Sequence, residues 1–261
     1  MGLTRRVAAR LHRIAAAFDG FDFFLVDVST IVHVGASVGQ ERDDYDRPWL
    51  RVVWVEPIPE VFERLVRNLR PFPRQRAIQQ LITDRDDVEY PFYIANNDGM
   101  SSSILELGLH RDVWPEIAYE RTIRLTSATL ASLVEREAVV LSGPTALVLD
   151  TQGSELLVLR GAGAVLTRVQ VVKLEAWDFE AYRNCCRLHE VDAFLADQGF
   201  RQRARRVIAE RADLGQAFDV VYERTGAGIA RASGLRRAGR IASLVASRLG
   251  RSLRFRGASS Q

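Results

Sequence analysis

The sequence predicts an α/β fold: a mostly parallel sheet with helices on both faces. Three observations carry that prediction. Short apolar runs alternate with stretches whose apolar residues recur every three or four positions. The strand candidates are uninterrupted, as in Ala146-Leu147-Val148-Leu149, which fits strands covered on both sides. Strands separated by helical segments also call for right-handed crossovers between parallel neighbours. At 261 residues and 47% hydrophobic, the chain can bury a sizeable core without disulfides.

Taken in order, residues 1–20 read as an amphipathic helix with Val7, Leu11, Ile14 and Phe18 on one face. Thr30–Val34 is β-branched and bounded by Gly35, giving the first strand. Val52–Val55 is the second, ended by Glu56-Pro57. Pro57 suits a helix start, and Val61, Phe62, Leu65 and Leu69 mark the face of the helix that follows. Ala77–Ile82 is the third strand. Val88–Ala95 alternates and carries Tyr90, Phe92 and Tyr93, a further strand or half of a hairpin.

From Asn96 to Tyr119 the chain is turn-rich and without period, which in a compact domain marks a functional segment. Leu130, Leu133 and Val134 give a short helix. Thr145–Leu149 is a buried strand ending at Asp150, with a helix through Leu156, Leu157 and Leu159 behind it. Val169–Leu174 ends at Glu175. Val191, Phe194 and Leu195 form another helical face, and Phe218–Tyr222 is a final strand.

Charge is unevenly placed. Residues 226–261 hold eight arginines and no acid, so the overall +3 becomes −5 for residues 1–225. A mildly acidic body argues against a nucleic-acid groove. Leu235, Ile241, Ala242, Val245, Leu249 and Leu253 recur at helical spacing in the tail. A basic amphipathic segment over 229–256 is therefore expected, either resting on an anionic membrane or frayed. Three regions follow: 1–27, a domain over 28–225, and the tail 226–261.

The two cysteines, Cys185 and Cys186, are adjacent, which excludes a disulfide framework and a cysteine zinc cluster. No segment has the ~18 apolar residues of a membrane-spanning helix. The run Ile14–Phe18 is also shorter than the ~7–15 residues of a secretory signal core. The expected location is the cytoplasm, with peripheral attachment at the inner membrane surface as its variant.

In open parallel sheets, ligands bind beyond the carboxyl ends of the strands, where strand order reverses. Those ends here are His33 with Gly35, then Glu56, Asp84, Asp150 and Glu175. Gly35 and Gly39 form a G-x-x-x-G turn that permits close backbone approach to a ligand. Glu56 follows about where an acid accepts from ribose hydroxyls, or caps the helix beginning near Pro57. Asp84 could accept from an adenine amine or cap its own turn.

Several segments together resemble FkbM-type S-adenosylmethionine-dependent methyltransferases. They are Val34-Gly35-Ala36 with Gly39, Trp54-Val55-Glu56-Pro57, Ser101-Ser102-Ser103, and Asp150-Thr151-Gln152-Gly153-Ser154-Glu155-Leu156 with Val158-Leu159-Arg160-Gly161. The resemblance spans about residues 28–224, and the D-x-x-G-x-E-L-x-V-L-x-G segment is its most specific part. It implies a Rossmann-like class I methyltransferase fold with a seven-stranded sheet, S-adenosylmethionine as cofactor, and O-methylation of a sugar, glycan or polyketide-like metabolite.

The resemblance also assigns roles. Gly35 and Gly39 would approach the methionine part of the cofactor, Glu56 the ribose and Asp84 the adenine, with Asp150 beside the reacting methyl. His33 stands where the family more often has Asp supporting the cofactor's amino group; neutral imidazole can accept one hydrogen bond there. Asp150 is the first candidate for base or positioning group, followed by His110 and Glu175. Ser101, Ser102, Ser103 and Trp114 are candidates for acceptor contacts, and no metal is expected. Two alternatives stay open: a nicotinamide-dependent oxidoreductase, and a cofactor-binding or membrane-recruited protein without activity.

Overall fold

A computed structural model describes residue 21, residues 24–226 and residues 236–245. The described residues divide into two compact units, one covering 28–226 and the other containing 24–27 and 236–245.

The larger unit is built on a seven-stranded sheet. Its strands are β1 (Thr30–Val34), β2 (Arg51–Glu56), β3 (Gln75–Gln79), β7 (Thr145–Leu149), β8 (Val169–Trp177), β9 (Phe200–Arg211) and β10 (Gly215–Arg224). They lie in the order β3-β2-β1-β7-β8-β10-β9. The first five run parallel, and β10 is antiparallel to both β8 and β9. All five residues of β1 and of β7 are buried, as expected of central strands covered on both faces. Successive side chains alternate between faces. Val32, Val34, Val53, Val55, Leu147 and Leu149 accordingly enter one core cluster, while His33 and Trp54 lie on the other face.

Helices α1 (Phe24–Asp27), α2 (Arg42–Tyr45), α3 (Pro59–Leu69), α4 (His110–Val113), α5 (Leu130–Arg136), α6 (Glu155–Gly161) and α7 (Leu188–Asp197) complete the element order. In α3, Val61, Leu65 and Leu69 are buried, and Pro59 stands in its first turn, where a missing N–H costs nothing.

Register positions the site. Val34 is level with Val55 on one side and Leu149 on the other, and Leu149 is level with Leu174. The next residues, Gly35, Glu56, Asp150 and Glu175, therefore come to one edge of the sheet. Strand order turns back between β1 and β7, so these residues flank the switch point.

The structure corrects three element expectations. The stretch expected as one third strand, Ala77–Ile82, is two strands in different sheets: β3, and β4 (Leu81–Thr83). With β5 (Glu89–Ala95) and β6 (Tyr119–Thr129), β4 forms a second sheet in the order β4-β6-β5. Both β6 and β9 are absent from the sequence reading, because few of their residues are buried and the apolar signal is lacking. Their ladders with β5 and β10 hold them instead.

In the smaller unit, residues 236–245 are helical. Arg237 donates to both carboxylate oxygens of Asp27 at 2.8 and 3.0 Å, and Arg240 donates to the Val26 carbonyl at 2.9 Å. The helix expected over 1–20 and most of the 229–256 segment lie outside the described residues. Among the described residues, no helix is long and apolar enough to cross a membrane.

Candidate active site

Beyond the ends of β1, β2 and β7 lies a cleft of about 180 Å³, lined by His33, Gly35, Glu56, Ser102, Asp150 and Gln152 among others. Gly35 shows why this edge is tight. Its φ is +80°, and a Cβ placed there would lie 1.8 Å from the Asp150 carbonyl oxygen. The loops after β1 and β7 therefore meet backbone to backbone, which only glycine allows.

Glu56 is buried and ties two loops together. One oxygen accepts from the Ser37 amide at 2.8 Å and the other from the Ile58 amide at 2.9 Å, just ahead of α3. Burial pushes its carboxyl up to about 7; the Ile58 and Ser37 amides pull the other way, and the charge of Asp150 adds to the rise. It is both a loop clamp and part of the cleft wall.

His33 is buried against Trp54, ring centroids 4.9 Å apart, and its Nδ1 has no hydrogen-bond partner among the described residues. Burial, aided by the charge of Lys173, lowers its pKa to about 3, so the ring is neutral at physiological pH.

Across the cleft, Gln152 donates through Nε2 to Asp150 Oδ1 at 2.6 Å and to Glu175 Oε2 at 3.1 Å. Asp150 is open to solvent on the cleft side but crowded by protein on the others. Those protein surroundings raise its carboxyl, the Gln152 bond opposes the rise, the charges of Glu41 and Asp219 add to it, and the charge of Lys173 opposes it. Glu175 is raised well above the usual carboxylate range, by burial first and then by Asp150, Glu155 and Asp219. Glu155 is buried and accepts from the Thr151 and Gly153 amides, which holds the loop carrying Gln152.

The other expected residues are dispersed. Gly39 faces α3 rather than the cleft, where its Cβ would meet Leu65 Cδ1 at 2.8 Å. Asp84 follows β4 beside Gly161, outside the lining; Gln80, Leu81 and Ile82 line the cleft near that strand instead. His110 is buried among Trp114, Tyr182 and Trp177, at centroid distances of 4.7, 5.2 and 6.1 Å, and does not line the cleft. Trp114 is half-buried in that cluster.

Within the serine run, Ser102 reaches the cleft and accepts from the Ala95 amide. Ser103 donates to the Gln152 carbonyl at 2.8 Å, and Ser101 bonds Asn97. Sequence reasoning missed Ser37, Glu41, Phe92, Met100, Thr151 and Gln152 as wall residues. Thr151 and Gln152 lie inside the D-x-x-G-x-E segment and Ser37 and Glu41 near the glycine turn, so a signal existed. Phe92 and Met100 carried none.

A family model described as the Methyltransferase FkbM domain matches residues 33–202, well over half of the chain. This chain belongs to the FkbM methyltransferase family. The seven-stranded sheet with its antiparallel β10 is the Rossmann-like class I methyltransferase fold, and FkbM methyltransferases use S-adenosylmethionine. The nicotinamide alternative falls with that assignment.

The FkbM cleft fits this cofactor. Glu41, Glu56 and Asp150 line it with no Lys or Arg, which suits a group whose sulfonium and ammonium outweigh its one carboxylate. His33 Nδ1 is buried in the wall with no partner of its own, and in the tautomer that leaves it unprotonated it can accept from an ammonium N–H.

Similar solved structures include magnesium protoporphyrin IX methyltransferase from Synechocystis PCC 6803 with bound SAM. It is 9% identical, with 85% of this chain and 79% of that chain covered and a TM-score of 0.43. Precorrin-6y C5,15-methyltransferase from Geobacter metallireducens is 11% identical, with coverages of 76% and 80% and a TM-score of 0.40. Aeropyrum pernix fibrillarin with bound S-adenosyl-L-methionine is 14% identical, with coverages of 74% and 66% and a TM-score of 0.41. No curated protein matches the sequence significantly.

Proposed function

We propose that this chain methylates a hydroxyl of a sugar, glycan or polyketide-like metabolite, with Asp150 as the base. The observation that carries the reading is the position of Asp150. It leaves β7 at the switch point, in backbone contact with Gly35, on the solvent-open wall of the cleft opposite Glu56.

When bound, the cofactor supplies an electrophilic methyl on a cationic sulfur. His33 would accept from its amino group, Gly35 would give close backbone approach, and Glu56 would accept from its ribose hydroxyls on lone pairs left free by Ser37 and Ile58. The chain must hold the acceptor oxygen in line at about 3–3.5 Å. Asp150 would take the proton of the acceptor hydroxyl. Glu175 sits behind it through Gln152, and Ser102 reaches the same wall. His110 is assigned no chemistry, since its imidazole is enclosed by aromatic rings.

The test is an extract incubation with S-adenosylmethionine carrying a deuterated methyl, comparing the wild type with Asp150→Asn. A labelled product whose NMR places the methyl on oxygen supports the reading. A methyl on nitrogen or carbon refutes it, as does equal labelling by Asp150→Asn. A lipid-linked glycan acceptor is the variant in which the 229–256 segment rests on anionic membrane. Unchanged liposome pelleting after truncation at Gly226 would end that variant.

A further inference from the structure

We propose that Gln152 is a positioning residue that clamps the Asp150 and Glu175 carboxyl groups on one amide nitrogen, with Tyr182 holding the amide from its other end. The proposal deepens the methyl-transfer reading and rests on it for its purpose, but not for its geometry.

A side-chain amide offers two hydrogens on nitrogen and an accepting oxygen. The nitrogen of Gln152 donates to both carboxyl groups, at 2.6 Å to Asp150 and 3.1 Å to Glu175. Its oxygen accepts from the Tyr182 hydroxyl. The ionised Asp150 assigns the amide orientation: a carboxylate can only accept, so the nitrogen faces it, and the Tyr182 hydroxyl then donates to the amide oxygen. Tyr182 is fully buried and packs against His110 and Trp177, so the hydroxyl is fixed in place. The Gln152 backbone is also pinned. Its φ is +53°, and its carbonyl accepts from Ser103. This gives the serine run and the aromatic cluster a shared task, holding the clamp.

Two carboxylates on one nitrogen repel, and other charges act on them from the neighbouring elements. Asp219 on β10 is level with Glu175 and is paired with Arg206. Glu155 on α6 adds negative charge at Glu175, as does Glu41 at Asp150, while Lys173 on β8 favours an ionised Asp150. Asp150 thus has the shorter amide bond, the cation and solvent contact, so it ionises first, while Glu175 keeps the proton. The ionised member of the pair faces the cleft, where a base is needed.

The experiment is a side-chain carboxyl titration by NMR on the full chain with ¹³C-labelled Asp and Glu. The variants are Gln152→Asn and Tyr182→Phe. Asn tolerates a left-handed backbone and keeps an amide, but it is one methylene too short to reach both acids. The wild type should show Asp150 and Glu175 titrating in two separate steps. Gln152→Asn should raise the Asp150 midpoint by at least about half a pH unit, because an ionised carboxylate loses its donor. Tyr182→Phe should move it less, in the same direction, and should leave S-adenosylhomocysteine affinity by calorimetry within about threefold of the wild type, since Tyr182 does not line the cleft.

Single-step titration in the wild type, or midpoints unmoved in both variants, would overturn the clamp. Failure of the wild type to bind S-adenosylhomocysteine would instead strike at the methyltransferase reading and leave the titration to judge the clamp.

Discussion

The two walls of the cleft are built differently. On the β1–β2 side, the main contacts run to the backbone: Glu56 joins the Ser37 and Ile58 amides, and Gly35 lies against the Asp150 carbonyl. On the β7–β8 side, the polar groups mainly hold one another, through Gln152, Asp150, Glu175 and Tyr182. A wall fixed by backbone contacts suits binding a constant group in one pose. A wall of coupled carboxyl groups suits moving a proton. The difference predicts that lesions on the first side act on stability and cofactor affinity, and lesions on the second on titration behaviour.

The largest expected effect tests where the walls touch. Gly35→Ala drives a Cβ into the Asp150 carbonyl at a left-handed φ and should cost at least about 4 kcal/mol, read by urea unfolding. A loss below about 1 kcal/mol would mean the two loops are not held in contact.

Next comes acid stability on the first wall. The neutral His33 refuses a proton down to about pH 3, whereas an unfolded histidine takes one near 6.5. Stability is therefore lost as pH falls through that window. Glu56 and Glu155, both raised to about 7, act oppositely: their contribution is present below the unfolded carboxylate value and lost as pH rises through 7. His33→Gln should gain roughly 3 kcal/mol relative to the wild type between pH 6.5 and 4. An unchanged difference across that range would show that His33 titrates normally.

Cofactor affinity then sharpens the contrast. Glu56→Gln should weaken S-adenosylhomocysteine binding about 10- to 100-fold, roughly 1.4–2.7 kcal/mol, while Asp150→Asn should change it less than about threefold. Equal losses would erase the distinction between the walls. Ribose hydroxyls donating to Glu56 favour its ionised form, so binding near pH 7 should release a fraction of a proton. Calorimetry in buffers of different ionisation enthalpy detects this, and Glu56→Gln should abolish it. The smallest effect is Gly39→Ala, about 1–2 kcal/mol, because its obstacle is a Leu65 methyl that can move.

Legibility in the sequence followed the same division. Thr30–Val34 and Thr145–Leu149 are strands over the expected residues, because central parallel strands must be apolar throughout. Once their ends are known, Gly35, Glu56 and Asp150 are known as edge residues. Asp84 was read from a third strand that divides between two sheets, so its position shifted with the boundary. His110 sat in a patternless segment, and nothing local announces that Trp177 and Tyr182 from elsewhere join nearby Trp114 in enclosing it.

The sequence by itself determined the parallel sheet, the turn at Gly35 and the acids at the strand ends, since those depend on local chain geometry and the period of apolar residues. Only the tertiary structure decided which acids share a nitrogen, which histidine is walled in, and that the Tyr182 hydroxyl bonds the Gln152 amide. Those facts depend on register and on side chains brought together from distant segments, and no pattern along the chain encodes a distance across it.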